Sequence, residues 1–214
     1  MSVKKIATVE VLDDQLLRAI ALRGGVRSYP ANTVLVTEDD RSDALYIILS
    51  GRVKAFGAAD DGREIIYATQ GAGEYFGEMT LDGGPRSASV QTLEPTTCAV
   101  VSGTEVRDFL AGHPDFALHL VKKLIALARA STGQVKSLAL DDVYGRIARL
   151  LRTLAREEGG VLLVPEKMTQ QDIAERVGSS REMVSRVFKP LLEGGYVEMR
   201  AGRIALLKKL PARW

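Results

Sequence analysis

Two short stretches of this 214-residue chain hold residue types able to do chemistry. The first is Phe76-Gly77-Glu78-Met79-Thr80-Leu81-Asp82-Gly83-Gly84-Pro85-Arg86-Ser87-Ala88. Gly77 and Glu78 open a short helical turn whose backbone N–H groups can face an anion. Arg86 follows a rigid Gly-Gly-Pro turn and begins an apolar strand, which aims its guanidinium into the protein. An arginine held there without a carboxylate is costly unless an anion arrives. A cyclic phosphate meets that demand, since its oxygens take charge-assisted bonds of roughly 1.5–3 kcal/mol each. Glu78 can accept from a ribose hydroxyl. On the residues alone an alternative stays open, in which Glu78 and Arg86 pair with each other across the turn.

The second stretch runs from Thr169 to Lys189. Thr169-x-x-Asp172 can cap a first short helix, and Ser179-x-x-Glu182 reads as a capping box for a second. Gly178 closes the first helix, where a positive φ is cheap only for glycine. Ala174 is small enough to let the two helices cross closely. At about 100° per residue, Val184, Val187, Phe188 and Leu191 share one arc of the second helix. Arg181, Glu182, Ser185, Arg186 and Lys189 occupy the other. Such a polar face can enter the DNA major groove, where Arg forks onto guanine and a carboxylate accepts from cytosine. The plainer alternative is a solvated face with an i,i+4 Glu182–Arg186 pair. Pro190 predicts a kink or an early end to this helix.

Other elements must position these residues. Short apolar or alternating runs at 34–37, 44–49, 53–56, 64–68, 87–91 and 97–101, separated by Gly- and Asp-bearing turns, predict a β sandwich or barrel. A helical period precedes it at 13–22. Residues 114–140 read as one long helix, with Ala117, Val121, Leu124, Ala128, Ser131, Val135 and Leu138 in alternating steps of four and three. That seam predicts a parallel homodimer, the alternative being a helix packed on its own β domain. A helix at 143–156, the two short helices and a hairpin around Arg200-Ala201-Gly202-Arg203 make a winged helix. The fold class is α+β in three parts: a β domain at 1–113, a dimerisation helix at 114–140 and a DNA-binding domain at 141–214.

Composition narrows the function. Residues 1–140 carry 15 Lys/Arg against 17 Asp/Glu, and residues 141–214 carry 14 against 10, so the basic excess falls on the C-terminal third, which is compatible with a nucleic-acid-binding module. No run of eighteen apolar residues predicts a membrane span and no signal peptide opens the chain, so a cytoplasmic protein is expected. One cysteine, Cys98, rules out an internal disulfide and a Cys-ligated iron–sulfur cluster. His113 and His119 read as surface or packing residues, so neither haem nor metal is expected. No nucleophile elbow, zinc-protease pair or Walker loop supports an enzyme.

Across nearly its whole length the sequence resembles the catabolite-activator/fumarate-nitrate-regulator (CRP/FNR) family of bacterial transcription factors. The FGE…PRSA segment is similar to that family's phosphate cassette, which implies a cyclic-nucleotide-binding jelly roll with Gly77, Glu78, Met79, Arg86 and Ser87 at the ligand. The triplet Arg181-Glu182-x-x-x-Arg186 is similar to the one by which the catabolite-activator branch reads TGTGA half-sites, with Thr169, Gln170, Gln171, Ser180, Ser185 and Lys189 around it on the DNA. The match through Leu138–Ala148 implies that Ser131 and Thr132 touch the adenine across a dimer, which favours cyclic AMP. RNA polymerase is implied as a partner. Two departures stand out: the Glu78-to-Arg86 spacing of eight is shorter than in most members, and the loop at 159–167 is shorter than the polymerase-contacting loop of the activators. The first keeps cyclic di-GMP, cyclic GMP or no effector open.

Overall fold

The structure, a computed structural model, describes residues 14–211. They divide into two compact units, residues 14–58 with 66–127 and residues 59–65 with 128–211.

The first unit opens with α1 (Gln15–Ala21), whose cap Asp14 accepts from the Leu16 and Leu17 N–H groups. In chain order the strands are β1 (Gly25–Tyr29), β2 (Val34–Val36), β3 (Leu45–Ser50), β4 (Arg52–Ala58), β5 (Glu64–Gly71), β6 (Tyr75–Phe76), β7 (Ser89–Thr92) and β8 (Thr96–Val101). They form two four-stranded sheets, β1-β8-β3-β6 and β2-β7-β4-β5, the layered arrangement of a jelly roll. Val36, Ile48, Val53, Phe76, Val90 and Cys98 fill the space between them. β3 does not alternate because both its faces are covered. Ile48 points between the sheets, while Leu45, Ile47 and Leu49 pack outward against Leu17 and Ile20 of α1, and against Phe109 and Phe116.

Two helices follow, α2 (Gly103–Gly112) and α3 (Pro114–Leu140). Pro114 suits the first helical turn, where its missing N–H costs nothing, and Asp115 complements the positive helix end. α3 spans the 27 residues expected of it, about 40 Å. Phe116 and Leu120 bury against the β core, while Leu118, Val121, Leu124, Ile125, Val135 and Leu138 are exposed. The packing alternative thus describes the first turns, and the apolar seam runs beyond them.

The second unit contains α4 (Val143–Leu154), β9 (Arg156–Glu158), β10 (Val161–Leu163), α5 (Gln170–Val177), α6 (Arg181–Glu193), β11 (Val197–Arg200) and β12 (Arg203–Leu206), with sheet order β11-β12-β10-β9. Asp142 caps α4 by accepting from the Gly145 N–H at 2.7 Å. Ile147, Leu151, Ile173, Val184, Phe188, Leu191 and Ile204 form its core. At the wing tip, Ala201 and Gly202 both take positive φ, the requirement of a tight hairpin turn.

Several expectations need correction. Strands β1, β6, β9 and β10 were not legible, and 159–167 is not all loop: Gly159 and Gly160 turn β9 into β10. β9 is the charged, exposed edge strand Arg-Glu-Glu, which lacks any apolar alternation. α4 stops at Leu154, because Arg156 leaves the helix for that strand. Arg86 precedes its strand, which starts at Ser89. Pro190 does not end α6, which runs on to Glu193. The helical period at 13–22 is observed from Gln15, and residue 13 lies outside the described residues. Among the described residues no helix is long and apolar enough to cross a membrane.

Candidate functional site

The cassette turns inward at Gly77. β6 ends at Phe76, whose ring stacks on Tyr46 at 4.8 Å, and a 3-10 turn occupies Glu78–Asp82. Gly77 between them has φ +93°, and a Cβ there would stand 2.5 Å from Arg86 Nη1 and 2.6 Å from the Ala44 carbonyl oxygen. Only glycine lets the chain pass so close to the arginine. Arg86 is 3% exposed. Its Nε donates to Ser42 Oγ (2.9 Å), Nη1 to Gly77 O (3.2 Å) and Nη2 to Ala44 O (2.8 Å). Its backbone is laced to the 39–40 loop by Arg86 N to Asp40 O and Asp39 N to Arg86 O. Burial lowers the guanidinium's pKa, opposed by Tyr46, Asp43, Glu78 and Asp40 in that order. No carboxylate among the described residues lies within ion-pair distance of it. Three of its five N–H donors are spent on neutral oxygens.

The Glu78–Arg86 pair left open by the sequence does not form. Glu78 faces Lys123 of α3 instead, Oε2 to Nζ at 3.2 Å. The ammonium donates to the Tyr75 carbonyl and sits 3.6 Å from the Tyr75 ring centre. Burial lowers the Lys123 pKa, with Glu78 pulling against it. Glu78 Oε2 is buried and, despite the nearby charge, receives no aligned hydrogen bond. Such an oxygen can accept from a hydroxyl donor. Sequence reasoning missed Lys123, although its spacing of three from Leu120 and seven from Phe116 puts it on the stripe that buries against the β core. Ser42 was missed too, because nothing in its polar loop singles it out.

The remaining cassette residues lie at the rim. Ser87 Oγ donates to Met79 Sδ at 3.1 Å, and both residues are exposed. Gly57 is a further close approach: Val53 and Ala55 of β4 face the inter-sheet core, so Gly57 shares that face. A Cβ on it would meet the Tyr67 hydroxyl at 2.3 Å, so the Tyr67 side chain reaches over the inner surface of β4. Ser131 and Thr132 are exposed on α3, and the Thr132 hydroxyl donates to Ala128 O at 3.0 Å. His113 stacks on Phe109 at 3.8 Å, and His119 lies against Phe116 and Tyr75, so both pack among aromatic rings.

The helix-turn-helix is α5 and α6. Thr169 and Asp172 form a reciprocal capping box, with Asp172 N to Thr169 Oγ1 at 3.1 Å and Thr169 N to Asp172 Oδ2 at 2.7 Å. Gly178 ends α5 in the left-handed conformation, φ +62°. Ser180, not Ser179, caps α6 by accepting from Met183 N, because the Ser179 backbone N–H is committed to the Ala174 carbonyl of the preceding helix end. Arg146 of α4 donates to the Val177, Asp141 and Gly178 carbonyls and so ties down the α5 end. Arg181, Glu182, Ser185, Arg186 and Lys189 are all exposed, opposite the buried Val184, Phe188 and Leu191. The Glu182–Arg186 ion pair is not formed. The Glu182 carboxyl is held below the usual range by its own backbone N–H and then by Ser180. Gln170 and Thr169 stand at the start of α5, and Gln171 donates to Glu175 at 2.8 Å.

Comparison with known proteins agrees with both halves. Residues 26–113 match the cyclic nucleotide-binding domain, and residues 145–210 match the Crp-like helix-turn-helix domain. The chain is 31% identical over 183 residues to the CRP-like cAMP-activated global transcriptional regulator of Mycobacterium tuberculosis, covering 83% of this chain and 82% of that one. It is 34% identical over 172 residues to the cAMP-activated global transcriptional regulator CRP of Haemophilus influenzae, covering 78% and 76%. Among solved structures, the c-di-GMP-responsive global regulator CLP of Xanthomonas campestris superposes with a TM-score of 0.78 at 26% identity, over 94% of this chain and 99% of that one. A jelly roll with a buried arginine that forms no ion pair among the described residues, joined through a long helix to a capped helix-turn-helix, and these similarities lead to one conclusion: the chain belongs to the CRP/FNR family of DNA-binding transcription regulators.

Proposed function

We propose that the protein is a homodimeric regulator whose DNA binding is switched by cyclic AMP. The effector occupies the jelly roll at Gly77, Glu78, Met79, Arg86 and Ser87, and Ser131 and Thr132 complete its surroundings from the paired α3 helices. One observation carries the ligand chemistry. Among the described residues the hydrogen bonds of the buried Arg86 cation all go to neutral oxygens, and a Glu78 oxygen of the same cassette lacks a hydrogen bond. A phosphodiester with a neighbouring free hydroxyl supplies the charge that one lacks and the proton that the other lacks. The exposed apolar seam of α3 supports pairing through residues 114–140. The similarity to cAMP-activated regulators favours this nucleotide.

On DNA, the α6 residues Arg181, Glu182, Ser185, Arg186 and Lys189 face base edges of a TGTGA-like palindrome. Thr169, Gln170, Gln171 and Ser180 lie on the flanking backbone. Two-fold symmetry places the half-sites about 34–36 Å apart. RNA polymerase is the downstream partner, and the functional division follows residues 1–113, 114–140 and 141–214. A second reading, cyclic di-GMP as effector, is favoured by the similarity to the CLP regulator and by the short Glu78–Arg86 spacing.

The test is calorimetric titration with cyclic AMP, cyclic GMP and cyclic di-GMP, paired with gel shifts on a TGTGA-N6-TCACA duplex. Cyclic AMP binds and strengthens the shift, and Arg86→Ala weakens nucleotide binding roughly tenfold to hundredfold, the loss of one or two charge-assisted bonds. Binding of cyclic di-GMP alone replaces the first reading with the second. An unchanged response in Arg86→Ala overturns the pocket.

A further inference from the structure

Among the described residues, helix α3 forms an ion pair with the cassette through Lys123. Of the adjacent lysines 122 and 123, the first is exposed and the second turns inward, continuing the stripe of Phe116 and Leu120. The Lys123 side chain is 19% exposed and the Glu78 side chain 6%. Their charges stand 3.2 Å apart, while the aligned hydrogen bond of the ammonium goes to the Tyr75 carbonyl and its face rests on the Tyr75 ring. Lys123 is flanked on the same helical turn by Val121, Leu124 and Ile125, which are exposed. The ion pair therefore joins the buried Phe116 and Leu120 in holding the rotation of the segment that displays the apolar seam.

We infer that Lys123 is the positioning residue that reports occupation of Glu78 to helix α3. The inference rests on the reading of Glu78 as acceptor of a ligand hydroxyl. A hydroxyl that donates to Glu78 Oε2 takes the oxygen now facing the ammonium and draws the carboxylate toward the ligand. Lys123 is then held by the Tyr75 carbonyl and ring, without its nearest counter-charge. A ligand shifts an equilibrium only through contacts that differ between the two states, and this ion pair is such a contact, with one partner in the pocket and the other on the helix. Nothing in the cassette motif signals it, because the cation is contributed from 45 positions further along the chain.

The experiment compares wild type, Lys123→Met and Lys123→Arg by DNA-binding anisotropy, without nucleotide and at cyclic AMP concentrations shown by calorimetry to be saturating for each protein. Methionine keeps an apolar stem and removes the charge; arginine keeps the charge. In Lys123→Met the gain in DNA affinity on adding cyclic AMP falls tenfold or more, and Lys123→Arg retains most of it. A merely structural lysine would change thermal stability without changing that ratio. An unchanged ratio in a nucleotide-saturated Lys123→Met protein overturns the inference and leaves the pocket reading intact. Wild type that binds no cyclic nucleotide overturns both. If Lys123→Met does not fold, Lys123→Gln gives the same comparison.

Discussion

A single added carbon on Gly77 would stand 2.5 Å from Arg86 Nη1. The glycine and the arginine are therefore one device: the positive φ of Gly77 presents its carbonyl to the guanidinium, and the missing side chain lets the guanidinium settle there.

Gly77→Ala tests that device. Strain at φ +93° and the clash with Arg86 together destabilise the protein by about 1–3 kcal/mol. Urea unfolding followed by circular dichroism measures it, and an unchanged midpoint refutes the close approach.

Arg146 is expected to matter for the helix-turn-helix without touching DNA. Its bonds of 2.8 and 3.0 Å to the Val177 and Asp141 carbonyls satisfy one group at the α5 end and one in the link between α3 and α4. Arg146→Met leaves them without those partners, at about 1–3 kcal/mol. Calorimetric unfolding reads the loss, and DNA affinity measured well below the melting range changes little.

Glu182 is expected to act on sequence preference. On the proposed DNA reading, Glu182→Gln relaxes one base position in each half-site by roughly 1–3 kcal/mol. Selection from a randomised palindrome reports this as a single degenerate column per half-site. A selected sequence identical to that of the wild type would remove Glu182 from the base contacts.

Cys98 gives a prediction in pH. Its thiol is fully buried between the sheets, and burial pushes its pKa up to about 12. An unfolded thiol ionises near about 8.5. The folded value is the higher one, so this contribution is complete below the unfolded pKa and is lost as the pH rises toward the folded one. Over that window stability falls by at most about 1.4 kcal/mol per pH unit. Cys98→Ala shows a shallower decline over the same range, and equal slopes would contradict the burial effect. The native thiol also stays unalkylated at neutral pH until the protein unfolds.

Much of the architecture was legible because its signals are local. The 3.5-residue seam and Pro114 marked α3 to its ends, and Thr169, Asp172 and Gly178 marked α5 through groups that bond within a single turn. The exposed arc of α6 followed from its period. Cap assignment was less secure: Ser179 and Ser180 are adjacent, and the chain path out of α5 chose between them. Likewise, the charged edge strand β9 exists because β10 pairs with it, not because its own residues favour a strand.

The sequence by itself determined which residues could serve as cation, acceptor and base reader, since those roles depend on side-chain chemistry and near spacing. The tertiary structure decided their partners. It set Arg86 against the oxygens of Ser42, Ala44 and Gly77, and gave Glu78 to Lys123 of a helix that begins far beyond the cassette. Charge pairing acts through distance in space, and folding brings together groups whose separation along the chain carries no record of that distance.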